Sequence, residues 1–357
     1  MDMTFRWYGK AFEKISLEDI RQIPNVQGIV GTLMDIPAGE VWPEDRIKAL
    51  KEEVEAAGMH LKVIESVNVH DDIKIGLPTR DKYIENYIQT IRNLAKYGIE
   101  VICYNFMPIF DWAKSDLNYK LADGSYALAY IDADIPDDPQ VIINQVKKEA
   151  DRLVLPGWEP ERLADIERLF EAYKDVDEEK LRENLLYFLE KIIPVCEEVG
   201  IKMGIHPDDP PYSIYGLPRI MKDVQDLRWL CDTIDSPANG ITFCTGSMAE
   251  DPDNDVYAML AEFCARDRIP FAHLRNIQFI NGTKDFHESA HPSNYGYLDM
   301  YQVMETMYQN GFDGYIRPDH GRMIWGETGR PGYGLYDRAL ATAYLNGLWE
   351  AISKNNS

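Results

Sequence analysis

EEKLRENLLYFLEKIIPVCEEVGIKMGIHPDD, residues 178–209, is the stretch on which the fold turns. Leu181, Leu185, Phe188, Leu189, Ile192 and Cys196 recur at the intervals of an amphipathic helix. Gly200 follows as a C-cap, and a short strand, KMGI, runs straight into His206. The same unit repeats along the chain. Strands are expected in FRWYG near residue 5, VQGIVGTL near 26, LKVIESV near 61 and EVICYNF near 100, then KMGIHPD near 202, GITFCTGS near 240, PFAHLRN near 270 and GYIRPDHG near 314. Helices are expected over 43–58, 80–98, 178–200, 217–234, 298–311 and 336–352. Eight βα units with right-handed crossovers close most economically into a (β/α)8 TIM barrel, whose active site lies at the C-terminal ends of the strands. An open doubly wound sheet is the competing topology, but no GxGxxG follows the first strand. Residues 107–160 interrupt the alternation after the fourth strand, and an insertion of that length is expected to act as a lid or an oligomer contact.

Bulk properties narrow the function. A chain of 357 residues with 45% apolar content and no Pro-, Gly- or Ser-rich linker reads as a single barrel domain, 1–357. No long apolar run and no basic-plus-apolar leader occurs, and the five cysteines form no close pairs, so a reduced, cytoplasmic protein is expected. A net charge of −23 repels phosphate backbones and anionic lipid, which argues against nucleic acid and membrane as partners. The excursion at 107–160 makes a homo-oligomer, a dimer or higher, the expected assembly.

His206, Cys244, His273 and Asp319 each fall at the C-terminal end of an expected strand, 38, 29 and 46 residues apart, about one βα unit each. Two imidazoles, a thiolate and a carboxylate suit one borderline divalent ion, Mn²⁺, Fe²⁺, Co²⁺ or Zn²⁺, better than oxygen-seeking Mg²⁺ or Ca²⁺. Their dispersal over separate strands favours a catalytic ion over a structural one. Cys196 and Cys264 lie within apolar helical faces and are expected in the core.

After the last strand comes RPDHGRMIWGETGRPGYG, residues 317–334, too polar and glycine-rich for a core. Arg317, Arg322 and Arg330, with Arg275 two residues beyond His273, are candidates to hold an anionic substrate against the chain's net negative charge. His320 and Tyr333 are the candidates for proton transfer, the tyrosine on the expectation that a metal and arginines lower its pKa.

IHPDDPP, FCTGS, AHLRN, RPDHGR and GRPGYG, with FRWYG at the start and NFMPIFDWAKSDL, together resemble the mannonate dehydratase family over essentially the whole chain. The resemblance implies a hydro-lyase that converts D-mannonate to 2-dehydro-3-deoxy-D-gluconate and water in hexuronate breakdown, on a barrel like that of xylose isomerase. It also implies Mn²⁺ or Fe²⁺, one ion per chain, on His206, Cys244, His273 and Asp319, with His320 and Tyr333 as the catalytic pair. Competing readings are a metal-dependent aldose–ketose isomerase or epimerase, an apurinic-site endonuclease disfavoured by the charge, and an inactive sugar-acid binding protein.

Overall fold

Each of the eight expected strands forms. The computed structural model describes residues 1–136, 141, 165–282 and 284–356. Strands β1 (Asp2–Arg6), β2 (Gly28–Gly31), β3 (His60–Glu65), β4 (Val101–Tyr104), β7 (Lys202–Ile205), β8 (Asn239–Cys244), β9 (Phe271–Leu274) and β12 (Tyr315–Pro318) close into a barrel. Every neighbouring pair is parallel, in the order β1-β12-β9-β8-β7-β4-β3-β2. Parallel pairing brings all the C-terminal strand ends to one rim, where side chains from distant units can meet. The strands read as continuous apolar runs because both faces are covered. Ile29, Leu61, Ile102, Met203 and Ile241 join the main core with the helices, while Val30, Val63, Val101, Cys103 and Phe271 form a separate buried cluster.

Most helices lie close to expectation, at Glu44–Ala56, Arg80–Lys96, Glu178–Val199, Met300–Gln309 and Leu335–Asn355. Asp177 caps the third of these through the Lys180 N–H, and Gly200 closes it in the left-handed conformation at φ 76°. One expectation is corrected: the stretch 217–234 is helical only over Val224–Thr233. Asp223 starts it by accepting the Gln225 and Asp226 N–H groups, so 217–223 stay outside as loop. Among the described residues no helix is long and apolar enough to cross a membrane.

A second sheet lies off the barrel. Strands β5 (Asp116–Lys120) and β6 (Tyr126–Tyr130) fall within the 107–160 excursion, and β10 (Asn276–Phe279) and β11 (Phe286–Ser289) follow β9 directly. They pair antiparallel in the order β10-β11-β6-β5. Asp123-Gly124, with Gly124 at φ 87°, turns the first hairpin. Residues 137–140 and 142–160 of the excursion lie outside the described residues.

Candidate active site

The strand ends deliver most of the expected residues to one place. Cys244 and His273 are register partners on β8 and β9, and Arg317 is the partner of His273 on β12. His206 follows β7, and its N–H donates to the Tyr104 carbonyl (2.7 Å). One ligand atom each from His206, Cys244 and His273 lie within 4.8 Å of one another. Asp319 stands beside them, its Oδ2 3.5 Å from Cys244 Sγ and its Oδ1 3.7 Å from His273 Nδ1. Burial opposes ionisation of Asp319, but the charges of His320, Arg317, His273 and Arg275 outweigh it and hold the carboxyl well below the usual range.

These residues fit a metal ion. Nitrogen and sulfur ligands stand about 2.0–2.3 Å from zinc, so two of them around one such ion are separated by at most about 4.6 Å. His206 Nδ1 is tied to the Pro207 carbonyl (2.7 Å), which leaves Nε2 as its donor atom. His273 Nε2 is buried without a hydrogen-bond partner, 3.2 Å from Glu65 Oε2. A second grouping, Glu65, Cys103 and His273, shares that histidine. It is the poorer candidate, because burial, then the Glu65 charge, pushes the Cys103 thiol well up; Arg317 holds Glu65 (3.0 and 2.8 Å) much as Arg317 and Arg275 hold Asp319 (2.8 and 2.9 Å).

The cavity at this rim has a volume of about 330 Å³, within the range of small-ligand sites. His206, Asp319, His320, Tyr333, Arg317 and Arg330 line it, joined by Arg6, Glu65 and Trp112. His320 Nε2 lies 2.9 Å from the Tyr333 hydroxyl, and His320 Nδ1 lies 2.6 Å from Glu288 Oε1 on β11. A carboxylate on Nδ1 favours the tautomer with its proton there and turns Nε2, as an acceptor, toward the tyrosine. Arg338, fully buried, donates to the Gly334, Tyr333 and Arg6 backbone carbonyls and so fastens the Tyr333 loop to β1. Among the chain's own groups, burial and then Tyr8 raise the Tyr333 pKa well above the ordinary tyrosine value against Arg317, so the expected lowering rests on a bound metal.

The four arginines divide. Arg317 and Arg330 line the cavity; Arg330 lies over the Tyr8 ring (4.2 Å), and its Nε and Nη1 have no hydrogen-bond partner. Arg275 and Arg322 are outside the cavity lining, contrary to expectation. The chain leaves β9 at Leu274 and re-enters a strand at Asn276, so counting along one strand face fails at Arg275. Its guanidinium instead meets Asp319 (2.9 Å), Asp209 (2.7 Å), Glu250 (3.0 Å) and Glu288 (3.3 Å). A Cβ on Gly246 would stand 2.5 Å from Arg275 side-chain atoms, so the glycine makes room for that guanidinium. Arg322 turns away to Asp337 (2.9 Å) and Asp123 (2.7 Å).

The sequence reading missed Arg6, Glu65 and Glu288. Arg6 and Glu65 are the last residues of β1 and β3, so the strand-end rule that found the other candidates would have found them. Glu288 carries no such signal, because its strand lies outside the barrel.

The closed ring of eight parallel strands, with the candidate side chains at one rim, makes the chain a TIM barrel. A xylose isomerase domain protein from Planctomyces limnophilus shares the fold at a TM-score of 0.57 and 13% identity, over 99% of this chain and 98% of that one. A family profile described as D-mannonate dehydratase (UxuA) matches residues 1–357. The mannonate dehydratase of Lactococcus lactis subsp. cremoris (strain MG1363) is 68% identical over 356 residues, 99% of each chain. The crystal structure of mannonate dehydratase from Streptococcus suis serotype 2 aligns at a TM-score of 0.90 and 46% identity, over 100% of this chain and 96% of that one. The chain belongs to the D-mannonate dehydratase family, a family of hydro-lyases.

Proposed function

We propose that this site dehydrates D-mannonate to 2-dehydro-3-deoxy-D-gluconate, with His206, Cys244, His273 and Asp319 around one Mn²⁺ or Fe²⁺ ion and with His320 and Tyr333 moving the protons. The enzyme is a mannonate dehydratase. The observation that carries the residue roles is the chain of contacts Tyr333–His320–Glu288, which starts at a cavity lined by Tyr333, His320, His206 and Asp319, with Cys244 and His273 grouped on His206 behind the lining.

Dehydration breaks the C2–H and C3–O bonds of the acid. The proton at C2 leaves to a base, the C3 hydroxyl leaves as water after gaining a proton, and the resulting enol tautomerises to the 2-keto acid. When bound, the metal supplies Lewis-acid stabilisation of the charge that develops beside the substrate carboxylate. Arg317 and Arg330 give the carboxylate positive partners in a cavity that Glu40, Glu65, Asp111, Asp209 and Asp319 also line. One of Tyr333 and His320 takes the C2 proton while the other protonates the departing C3 hydroxyl, and transfer of one proton across their 2.9 Å contact restores the pair; Glu288 holds His320 with Nε2 as its accepting nitrogen. A tyrosine whose hydroxyl is held protonated by burial suits delivery of a proton to the departing hydroxyl.

All five cysteines are free and buried, which supports a reducing compartment and hence the cytoplasm. Self-association is supported by Trp325, 74% exposed and 5.7 Å from the half-exposed Tyr336 ring.

The test is to incubate metal-reconstituted protein with D-mannonate and follow the 2-keto-3-deoxy product, with and without chelator. Interconversion of a neutral aldose and ketose, with D-mannonate untouched, would replace this reading by an isomerase. The two classes of arginine give a second test: Arg330→Ala is expected to raise KM for D-mannonate about 10- to 100-fold, the worth of one charge-assisted contact. Arg322→Ala should leave kcat and KM within about twofold and lower thermal stability by about 1–3 kcal/mol, because it strips a cation from the buried Asp337.

A further inference from the structure

Lys114 lies in the segment after β4 that also brings Trp112 to the cavity wall, with the Trp112 ring 5.7 Å from that of His320. The Lys114 side chain is fully buried and is not part of the cavity lining. Its ammonium pairs with Asp209 Oδ1 and with Glu250 Oε1 (3.0 Å). Those two carboxylates are the ones that also hold Arg275 Nη2, at 2.7 and 3.0 Å, and Ser247 Oγ donates to Asp209 as well (3.1 Å). The other nitrogens of Arg275 face the site: Nε donates to Asp319 (2.9 Å), and Nη1 lies 3.3 Å from Glu288. One buried guanidinium therefore touches both a proposed metal ligand and the carboxylate that orients His320.

We propose that Lys114 is a positioning residue for the dehydration: through Asp209 and Glu250 it fixes the Arg275 guanidinium, and so the placement of Asp319 and Glu288. The inference rests on the functional reading above. Charge balance carries it, in a buried cluster that meets the cavity only at Asp209 and Asp319. Lys114 and Arg275 together face Asp209, Glu250, Glu288 and Asp319, with Arg317 also on Asp319 (2.8 Å) and His320 on Glu288 (2.6 Å), whereas Asp209 and Glu250 have Lys114 and Arg275. Without Lys114, the Asp209 and Glu250 carboxylates have Arg275 as their shared buried cation, and it is drawn toward them and off Asp319 and Glu288. Burial, then the charge of Asp209, pushes the Glu250 carboxyl up to about 8, with Lys114 and Arg275 in opposition. Burial disfavours the charged lysine, but Asp209 and Glu250 outweigh it and keep the ammonium charged.

The experiment compares wild type, Lys114→Met and Lys114→Arg in three measurements: steady-state kinetics on D-mannonate, Mn²⁺ titration of the metal-free proteins, and thermal melting. Lys114→Met should lower kcat about 10- to 100-fold with KM within about twofold, and weaken Mn²⁺ binding about tenfold, as loss of partners behind metal ligands commonly does. Lys114→Arg should restore kcat to within about fivefold of wild type. If Lys114→Met cannot be purified folded, Lys114→Gln takes its place under the same expectation. Wild-type kcat and Mn²⁺ affinity in the charge-removed variant would overturn the proposal, as would failure of both neutral variants to fold or no recovery in Lys114→Arg. A wild-type protein inactive on D-mannonate would instead bring down the functional reading, whatever Lys114 does.

Discussion

Replacing His320 with Asn is expected to cut kcat on D-mannonate by about 10²–10⁴-fold, the usual worth of a positioned proton carrier. The expectation follows from its place between two partners, Glu288 at 2.6 Å and the Tyr333 hydroxyl at 2.9 Å. An asparagine side chain is shorter and has no ring nitrogen to receive the tyrosine proton. Tyr333→Phe, which removes a single oxygen, should fall in the same range. The double variant should be little worse than either single one, because groups that act as a unit do not add. Both side chains are nearly fully buried, so a melting curve must accompany the kinetics to separate lost chemistry from lost packing. Near wild-type turnover in both single variants would remove them from the reaction.

The second large effect is expected at Cys244. A serine there exchanges a soft thiolate for a hydroxyl that stays protonated, on a residue fully buried between His273 and the Ser247 N–H. Cys244→Ser should weaken Mn²⁺ or Fe²⁺ binding by at least about tenfold and lower activity at limiting metal by at least about 100-fold. Exhaustive chelation of the unaltered protein should abolish turnover, and added Mn²⁺ or Fe²⁺ should restore it. Saturating metal at about 100 times its Kd should also stabilise the fold by about 2.7 kcal/mol, readable as a raised melting temperature. Full activity after demetallation is the result that would defeat the metal assignment.

The barrel was legible because its signals are local. A helix such as 178–199 announces itself by an apolar stripe and a glycine stop, and β7 by the apolar run that follows. His206, Cys244, His273 and Asp319 were legible for a related reason: in this fold, position along a strand is position at the rim. Glu288 and Lys114 were not, since each lies off the barrel strands and meets its partner, His320 or Asp209, only across 32 or 95 residues of chain. Arg275 shows the limit from the other side. The two-residue rule for strand faces assumes an unbroken strand, and the chain bends where that arginine sits. The hairpin at 116–130 was readable in principle, with DLNYK and YALAY flanking an Asp-Gly turn, but the polar stretch around it masked the alternation.

The off-barrel sheet has a consequence for how such an enzyme changes over time. It ties the excursion after β4 to the one after β9, bridging the sector that contains β7 and β8. The opposite sector, formed by residues that follow β1, β2 and β3, supplies Tyr8, Met34, Glu40 and Asn68 to the cavity. The cavity wall is therefore divided between segments that the off-barrel sheet ties together, which carry Trp112, and loops beyond its reach, which carry Tyr8, Met34, Glu40 and Asn68. Selection for a new aldonic acid can act on those loops while the sheet keeps Glu288 in place beside His320.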